Sequence, residues 1–366
     1  MHPTTIKKIH ELGQSIWLDS IDRKMLQSGQ LKELIVKQGV RGLTSNPAIF
    51  EKAIDQGGDY REDIERLSAS DKSNEDIFYS MAVKDIRDAA DLLLPIYEEG
   101  VRGSDGYVSL EVSPGLARNT EGTIEQALQL WKMVARPNVM IKIPGTKEGL
   151  PAIRECIRQG LNINVTLLFG LKRYKEVIDA YLLGLEDRLK ADLPLDGIAS
   201  VASFFLSRID TLVDPMLTDK KHPELKGQIA IASAKEAYQI YEDVFGSGRF
   251  INLKARGAKP QRLLWASTGT KDPAYSDVKY VEALIAPHTI NTLPMETLEA
   301  YLDHGDPHPR LVNNIGQAAE QLHALKDTGI DLESISYRLE VEGIEKFRQP
   351  YNKLLEAIEK QRQKVF

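Results

Sequence analysis

Residues 138–169 read NVMIKIPGTKEGLPAIRECIRQGLNINVTLLF and decide the fold. The stretch begins and ends with short β-rich runs, 138–145 and 162–169, which carry apolar residues on both alternating faces. Such runs are typical of parallel strands that are covered on both sides. The segment between them, which contains Cys156, is predicted to be a helix. A strand, a helix and a second strand in this order predict one unit of an α/β fold.

The same alternation extends through the chain. Further β-rich runs lie at 15–20, 40–45, 106–113, 197–205, 262–268 and 282–290. Between them, 123–134 and 230–245 have the apolar spacing of an amphipathic helix. Eight strands alternating with helices predict a (β/α)8 TIM barrel, a fold that usually takes about 250 residues. A doubly wound open sheet is the alternative that the pattern leaves open.

The chain, with 366 residues, is longer than such a barrel requires. The excess falls in 46–105, in 206–261 and at the C-terminus, where a helical stripe continues past Pro350. We therefore expect additional helices after strand 2, after strand 6 and at the C-terminus. Because no linker or repeat divides the chain, we expect a single domain over residues 1–366.

Composition narrows the class of protein. The 47 Lys+Arg and 53 Asp+Glu give a formal charge of −6, which offers no long-range attraction for nucleic acid or anionic lipid. Cys156 is the single cysteine, no stretch approaches the ~18 apolar residues of a membrane span, and the N-terminus lacks a signal-peptide core. We expect a cytoplasmic protein without nucleic-acid or membrane partners, either a monomer or a homodimer. His304 and His308 lie in a proline-rich loop without enough ligands for zinc, so no metal site is expected.

Polar residues at the C-terminal ends of barrel strands point into one shared mouth. These positions hold Asp19, Thr44, Asn46, Glu111, Lys142, Asn164, Thr166, Ser203, Arg208 and Lys271. A core built only for stability would carry Val, Ile or Leu there, since an unpaired buried polar group costs about 1–3 kcal/mol. The set as a whole therefore indicates a functional site.

Lys142 interrupts an otherwise apolar strand and allows two interpretations. It could form an ion pair with Glu111 or Asp19, or reach solvent with its charged end. Alternatively, desolvation could leave its amine neutral, so that it attacks a carbonyl carbon. Spacing does not decide between the two, although the polar neighbours favour the second.

Two motifs resemble those of the transaldolase family. Residues 42–50, GLTSNPAIF, resemble its T-[ST]-N-P signature, and 140–149, MIKIPGTKEG, resemble the motif around its Schiff-base lysine. The similarity continues through 163–169 and 203–210, and extends from Asp19 to Lys271. The resemblance implies the same (β/α)8 barrel and a transferase that needs no cofactor.

The resemblance also implies roles for the matching residues. Lys142 would be the Schiff-base nucleophile, and Asp19 the acid/base that removes the C4 hydroxyl proton. Glu111 and Thr166 would position and activate the water used to form and hydrolyse the imine. The implied substrate-binding residues are Thr44, Asn46, Asn164, Ser203, Phe205, Arg208 and Lys271.

Within that set, Asn46 and Asn164 would hold hydroxyls, and Ser203 and Arg208 the phosphate. Phe205 stands where plain aldolases of the family carry Tyr, which favours transfer. The family has a second phosphate-binding Arg after the seventh strand, whereas this chain offers Lys271 near that point. Lysine binds phosphate as a point charge rather than as a fork.

The implied reaction moves a dihydroxyacetone unit from sedoheptulose 7-phosphate to glyceraldehyde 3-phosphate, giving erythrose 4-phosphate and fructose 6-phosphate in the pentose phosphate pathway. Two alternatives stay open: an aldolase that releases free dihydroxyacetone, and a catalytically silent sugar-phosphate-binding barrel. The presence of Lys142, Asp19 and Glu111 together disfavours the silent barrel.

Overall fold

Eight parallel strands close into a barrel in the computed structural model, which describes residues 4–56, 58–99 and 101–364. The strands are Ser15–Asp19 (β1), Leu43–Thr44 (β2), Val108–Glu111 (β3), Val139–Pro144 (β4), Ile163–Leu168 (β5), Ser200–Phe205 (β6), Arg262–Ala266 (β7) and Ile290–Leu293 (β8). They follow one another in chain order, and pairing of β1 with β8 closes the barrel. The predicted (β/α)8 barrel is confirmed, and the open doubly wound sheet is excluded.

Helices surround the barrel. Their bounds are Thr5–Glu11 (α1), Arg23–Gln27 (α2), Gln30–Glu33 (α3), Pro47–Gln56 (α4), Arg61–Ser68 (α5), Asn74–Glu98 (α6), Thr120–Val134 (α7), Gly149–Gln159 (α8), Leu171–Lys190 (α9), Ser207–Asp219 (α10), Ile229–Phe245 (α11), Gly248–Lys254 (α12), Lys279–Ala283 (α13), Met295–His304 (α14), Ile315–Asp327 (α15) and Leu332–Arg362 (α16). A π-helical turn, Leu34–Gln38, follows α3, and short 3-10 helices lie at Gly58–Tyr60, Pro114–Leu116 and Pro223–Leu225. The additional helices expected after strand 2, after strand 6 and at the C-terminus are all present.

The eighth strand lies later in the chain than the sequence analysis placed it. The expected run, 282–290, instead contains the end of α13 and a turn, and β8 begins at Ile290. Leu284, Ile285 and Ala286 are buried, so their apolar character reports packing rather than a strand. Pro287 cannot donate to a strand ladder, which explains why pairing begins only beyond it.

Strand register brings the polar residues together. Both β4 and β5 are buried at every position, as expected of strands covered on both sides. Glu111 of β3 pairs with Lys142 of β4, and Lys142 pairs with Asn164 of β5. Because side chains alternate along a strand, Asn164 and Thr166 share the interior face.

Helix α16 crosses the C-terminal mouth of the barrel, where it packs against α4 and β5. Ser336 of this helix donates a hydrogen bond to the carbonyl oxygen of Phe169, 3.0 Å away. Gly343 permits the close approach, since a Cβ there would lie 3.0 Å from Cδ2 of Leu167. Phe347 is thereby brought over the barrel interior.

Two kinds of feature are absent from the described residues. None of the helices in this part of the chain combines the length and apolar character that crossing a membrane requires. Nor do three or more His, Cys, Asp or Glu side chains within the described ranges converge as metal ligands would.

Candidate active site

A cavity of about 190 Å³ lies at the C-terminal ends of the strands, beneath α16. The predicted site residues that line it are Asp19, Thr44, Asn46, Lys142, Thr166, Ser203, Phe205, Arg208 and Lys271. The remaining two, Glu111 and Asn164, are buried beside them in the barrel interior. The structure therefore brings all of the predicted residues to one end of the barrel.

Lys142 is buried and faces this cavity. Its Nζ lies 3.2 Å from Oε2 of Glu111 and donates to the carbonyl oxygen of Ser45 at 3.1 Å. The ring of Phe347 covers it, with the ring centroid 5.4 Å away. The lysine is thus paired with Glu111, as the first interpretation expected, while it also lines a cavity, as the second requires.

Glu111 is fully enclosed, and burial raises the pKa of its carboxyl to about 7, although the neighbouring Lys142 opposes the shift. A carboxyl that titrates near neutral pH can both give and accept a proton in a reaction cycle. Its place beside the lysine nitrogen makes it the nearest group for proton exchange there.

Asp19 ends β1 and is the second acid of the site, half-buried at the cavity wall. Burial raises its pKa, while the charge of Lys142 and the side chains of Thr44 and Asn46 act in the opposite direction. Thr44 Oγ1 donates to Asp19 Oδ1 at 2.7 Å, and it also lies 2.7 Å from Thr292 Oγ1. These contacts fix the carboxylate at the cavity wall.

Asn46 has a structural use besides facing the cavity. Its Oδ1 accepts hydrogen bonds from the backbone N–H groups of Ala48 and Ile49, at 3.1 and 3.2 Å. These bonds satisfy donors at the start of α4, as a helix cap does. The cap holds the side chain in a fixed position beside Asp19.

Asn164 and Thr166, both on β5, differ in whether their polar groups already have hydrogen-bond partners. Asn164 donates to Ser109 Oγ at 3.0 Å and accepts from Ser203 Oγ at 2.7 Å, so both ends of its amide are engaged. Thr166 Oγ1 is buried and has no hydrogen-bond partner among the described residues. An orphaned hydroxyl at a cavity wall is a binding position for water or substrate.

Two cations stand at the rim. Arg208, in the first turn of α10, lies over the ring of Phe205 at 5.5 Å, and burial lowers its pKa. Lys271 is exposed and lies in the loop after β7. This loop begins at Ser267, whose backbone is left-handed, with a φ of 54°. Together they offer two positive charges to an anionic group that enters the cavity.

Sequence reasoning missed Thr292 and Phe347 as cavity residues. Thr292 was overlooked because the eighth strand was expected before Pro287, although the run 289–292, in which three of four residues are β-branched and which Pro294 closes, was a usable signal. Phe347 belongs to the helical stripe at the C-terminus, and nothing in that apolar pattern tells which surface the stripe covers.

Comparison with known proteins gives consistent matches along the chain. A family model described as transaldolase/fructose-6-phosphate aldolase matches residues 16–358. A transaldolase of Trichodesmium erythraeum is 48% identical over 98% of this chain and 97% of its own length. A transaldolase of Saccharopolyspora erythraea is 48% identical over 98% of both chains, and one of Thiobacillus denitrificans 45% identical over 96% of this chain and 99% of its own.

Proposed function

Because the chain belongs to the transaldolase/fructose-6-phosphate aldolase family and has the function of a transaldolase, a transferase, we propose that it works through a Schiff base on Lys142. The observation that carries this proposal is the buried Nζ of Lys142, which lines the mouth cavity 3.2 Å from Glu111. We propose sedoheptulose 7-phosphate as donor and glyceraldehyde 3-phosphate as acceptor, in the cytoplasmic pentose phosphate pathway.

The reaction begins when the neutral amine of Lys142 adds to the C2 carbonyl of the ketose. Loss of water gives an iminium, which withdraws electrons from the C3–C4 bond. Asp19 takes the C4 hydroxyl proton, the bond breaks, and erythrose 4-phosphate leaves. The three-carbon enamine remains on Lys142 until it attacks the acceptor aldehyde, whose oxygen receives the proton back from Asp19. Since the iminium is the electron sink, the mechanism calls for no cofactor.

Water enters the cycle twice, as leaving group and as nucleophile. Protonated Glu111 gives its proton to the departing hydroxyl when the iminium forms. The resulting carboxylate accepts a proton from the water that later hydrolyses the imine, and Thr166 Oγ1 orients that water. A pKa of about 7 suits a group that serves in both protonation states.

Substrate binding is assigned to the remaining residues. Thr44, Asn46 and Asn164 hold the sugar hydroxyls, with Asn164 reaching them after exchanging one of its present hydrogen bonds. Arg208, Lys271 and Ser203 bind the phosphate, and a charge-assisted hydrogen bond contributes about 1.5–3 kcal/mol.

Chemical trapping tests the proposal directly. The enzyme is incubated with fructose 6-phosphate and borohydride, which reduces an imine to a stable amine, and the adduct is mapped by mass spectrometry. We expect a three-carbon or six-carbon adduct on Lys142 and none on Lys271, the other lysine of the cavity. An unmodified Lys142 after complete substrate exposure would contradict the mechanism.

The pKa of Glu111 predicts how activity depends on pH. Because the proposed cycle begins with Glu111 protonated, and the protonated carboxyl is populated mainly below pH 7, kcat/KM is expected to fall as the pH is raised through about 7. Glu111→Gln, which cannot titrate, should lower kcat about 10²- to 10⁴-fold and remove this alkaline limb. Glu356→Gln, at an exposed position of α16, is the control and should keep the wild-type profile. An alkaline limb that survives in Glu111→Gln would assign it to another group.

Phe205 is expected to control whether the three-carbon unit is transferred to an acceptor or released as free dihydroxyacetone. Phe205→Tyr places a hydroxyl at the cavity wall, where it can help water to protonate the enamine, so release of free dihydroxyacetone from fructose 6-phosphate should rise about tenfold. Phe169→Tyr is a matched control, because Phe169 packs on Phe205 at 5.3 Å but does not line this cavity. Equal release by both variants would show that position 205 does not control the partition. The assay omits the acceptor aldehyde.

Lys271 is expected to lower KM for substrates that carry a phosphate group. Lys271→Gln should raise KM for sugar phosphates about three- to tenfold, a modest effect because the side chain is exposed to screening solvent. Lys271→Arg should keep KM low, and neither variant should change KM for unphosphorylated glyceraldehyde. A loss of affinity that is equal for both acceptors would remove the phosphate assignment.

A further inference from the structure

A second cavity, of about 700 Å³, opens at the N-terminal end of the barrel, opposite the active site. Its inner wall includes Met140, Val201 and Ile290, from the starts of β4, β6 and β8. Each lies two residues before a residue that lines the catalytic cavity, so the two cavities share the barrel interior from opposite ends. We call this second space the basal cavity. Its size falls within the ~300–1,000 Å³ of small-molecule sites, and transaldolase chemistry does not use it.

The basal cavity carries an excess of positive charge. The charged side chains that line it, apart from histidines, are Arg41, Glu99, Asp105, Lys254, Lys259 and Arg262. Both acids are engaged by one cation, since Arg41 Nη2 lies 2.7 Å from Glu99 and Arg41 Nε lies 3.2 Å from Asp105. Among the described residues, the other three cations have no carboxylate within 4.0 Å. This concentration of positive charge occurs in a chain whose net charge is −6.

Two of these cations are held by uncharged acceptors. Lys259 Nζ donates to the carbonyl oxygens of Arg102 and Gly103, at 2.9 and 3.3 Å. Arg262 donates to the carbonyl oxygens of Ser104 and Thr289, both at 2.8 Å. Burial lowers the pKa of both Lys259 and Arg262, in keeping with cations that lack full solvation. These uncharged acceptors satisfy most of the N–H donors but leave the unit charges unneutralised.

We propose that the basal cavity binds a small organic anion, with an oxyanion head beside Lys254, Lys259 and Arg262 and an apolar body against Met140 and Val201. The head can be a phosphate or a carboxylate, because either oxyanion brings negative charge to the three cations and can accept hydrogen bonds from their free N–H donors. The apolar wall contributes binding only when the ligand buries carbon surface against it. Head and body together are therefore required for tight binding.

Calorimetric titration of the full-length enzyme at low ionic strength tests this site with four probes: phenyl phosphate, benzoate, inorganic phosphate and phenol. We expect phenyl phosphate or benzoate to bind at least tenfold more tightly than inorganic phosphate or phenol, and the stronger of the two identifies the head. Raising the salt concentration should weaken binding, since part of the attraction is electrostatic. Probes that show no binding, or no gain from joining head to body, would overturn the proposal.

Substitutions in each cavity test whether the probe binds in the basal cavity or in the active site. Lys254→Gln and Lys259→Gln should each weaken binding of the preferred probe about five- to tenfold while transfer activity persists. Arg208→Gln, which removes a cation of the catalytic cavity, should leave that affinity within twofold of wild type. Binding abolished by Arg208→Gln and retained by both lysine variants would place the probe in the active site and refute the proposal. Lys254 is exposed at the end of α12, so its variant tests the site even if Lys259→Gln impairs folding.

Discussion

Replacing Lys142 by Met is expected to lower transaldol transfer by at least about 10⁴-fold, because the substitution removes the proposed nucleophile, on which every later step of the proposed cycle depends. Methionine nearly preserves the length and volume of the side chain, so the cavity and the contact with Phe347 should persist. Borohydride trapping should give no adduct at position 142. The measurement is kcat/KM with sedoheptulose 7-phosphate and glyceraldehyde 3-phosphate.

The stability of Lys142→Met provides the control for folding. Without the lysine charge, the pKa of Glu111 should rise above about 7, since Lys142 is the group that opposes the effect of burial. A carboxyl whose folded pKa exceeds its unfolded value stabilises the fold at low pH and loses that contribution as the pH rises. The variant should therefore be near wild type in stability below pH 5 and lose stability towards pH 8. Transfer activity in a folded variant would contradict the mechanism.

Asp19→Asn is expected to lower kcat about 10²- to 10⁴-fold, because it removes the base proposed to take the C4 hydroxyl proton. The amide keeps the shape of the carboxyl, so Thr44 can still donate to its oxygen. Since the imine forms before Asp19 acts, borohydride should still trap the substrate on Lys142. The trapped species should be the six-carbon adduct of fructose 6-phosphate, with the three-carbon adduct absent.

The mass of the adduct distinguishes this role from others. A three-carbon adduct in Asp19→Asn would show that the carbon–carbon bond breaks without this carboxylate. Loss of both adducts would assign Asp19 to imine formation rather than cleavage. Asp303→Asn, at an exposed position near the end of α14, should behave as wild type and controls for loss of one negative charge.

The barrel could be predicted from the sequence because its strands repeat one physical pattern. Runs such as 138–145 and 162–169 are apolar on both faces, and their interior polar residues fall at strand ends, where a barrel mouth requires them. The position of β8 could not be read in the same way, since buried residues before Pro287 mimic a strand. Apolar character reports burial, whereas strand pairing also needs backbone donors.

Most of the residues that line the cavity could be predicted from the sequence, but their geometry could not. Lys142 and Glu111 could be placed on neighbouring strands, yet only the register puts their charged atoms 3.2 Å apart. The capping bonds of Asn46 and the engaged amide of Asn164 depend on local geometry that residue types do not specify. Phe347 comes from a helix far along the chain, and an amphipathic pattern does not identify the surface it packs against.

The helix that covers Lys142 is the last helix of the chain, so it is synthesised after the rest of the pocket. The acids, amides and hydroxyls of the pocket, from Asp19 to Lys271, emerge from the ribosome before α16, which begins at Leu332 and brings Phe347. A chain that ends before Leu332 lacks the aromatic ring that lies 5.4 Å from Nζ of Lys142, and the cavity is then open to bulk water on that side. The enclosed pocket is therefore complete only after translation has passed through this last helix.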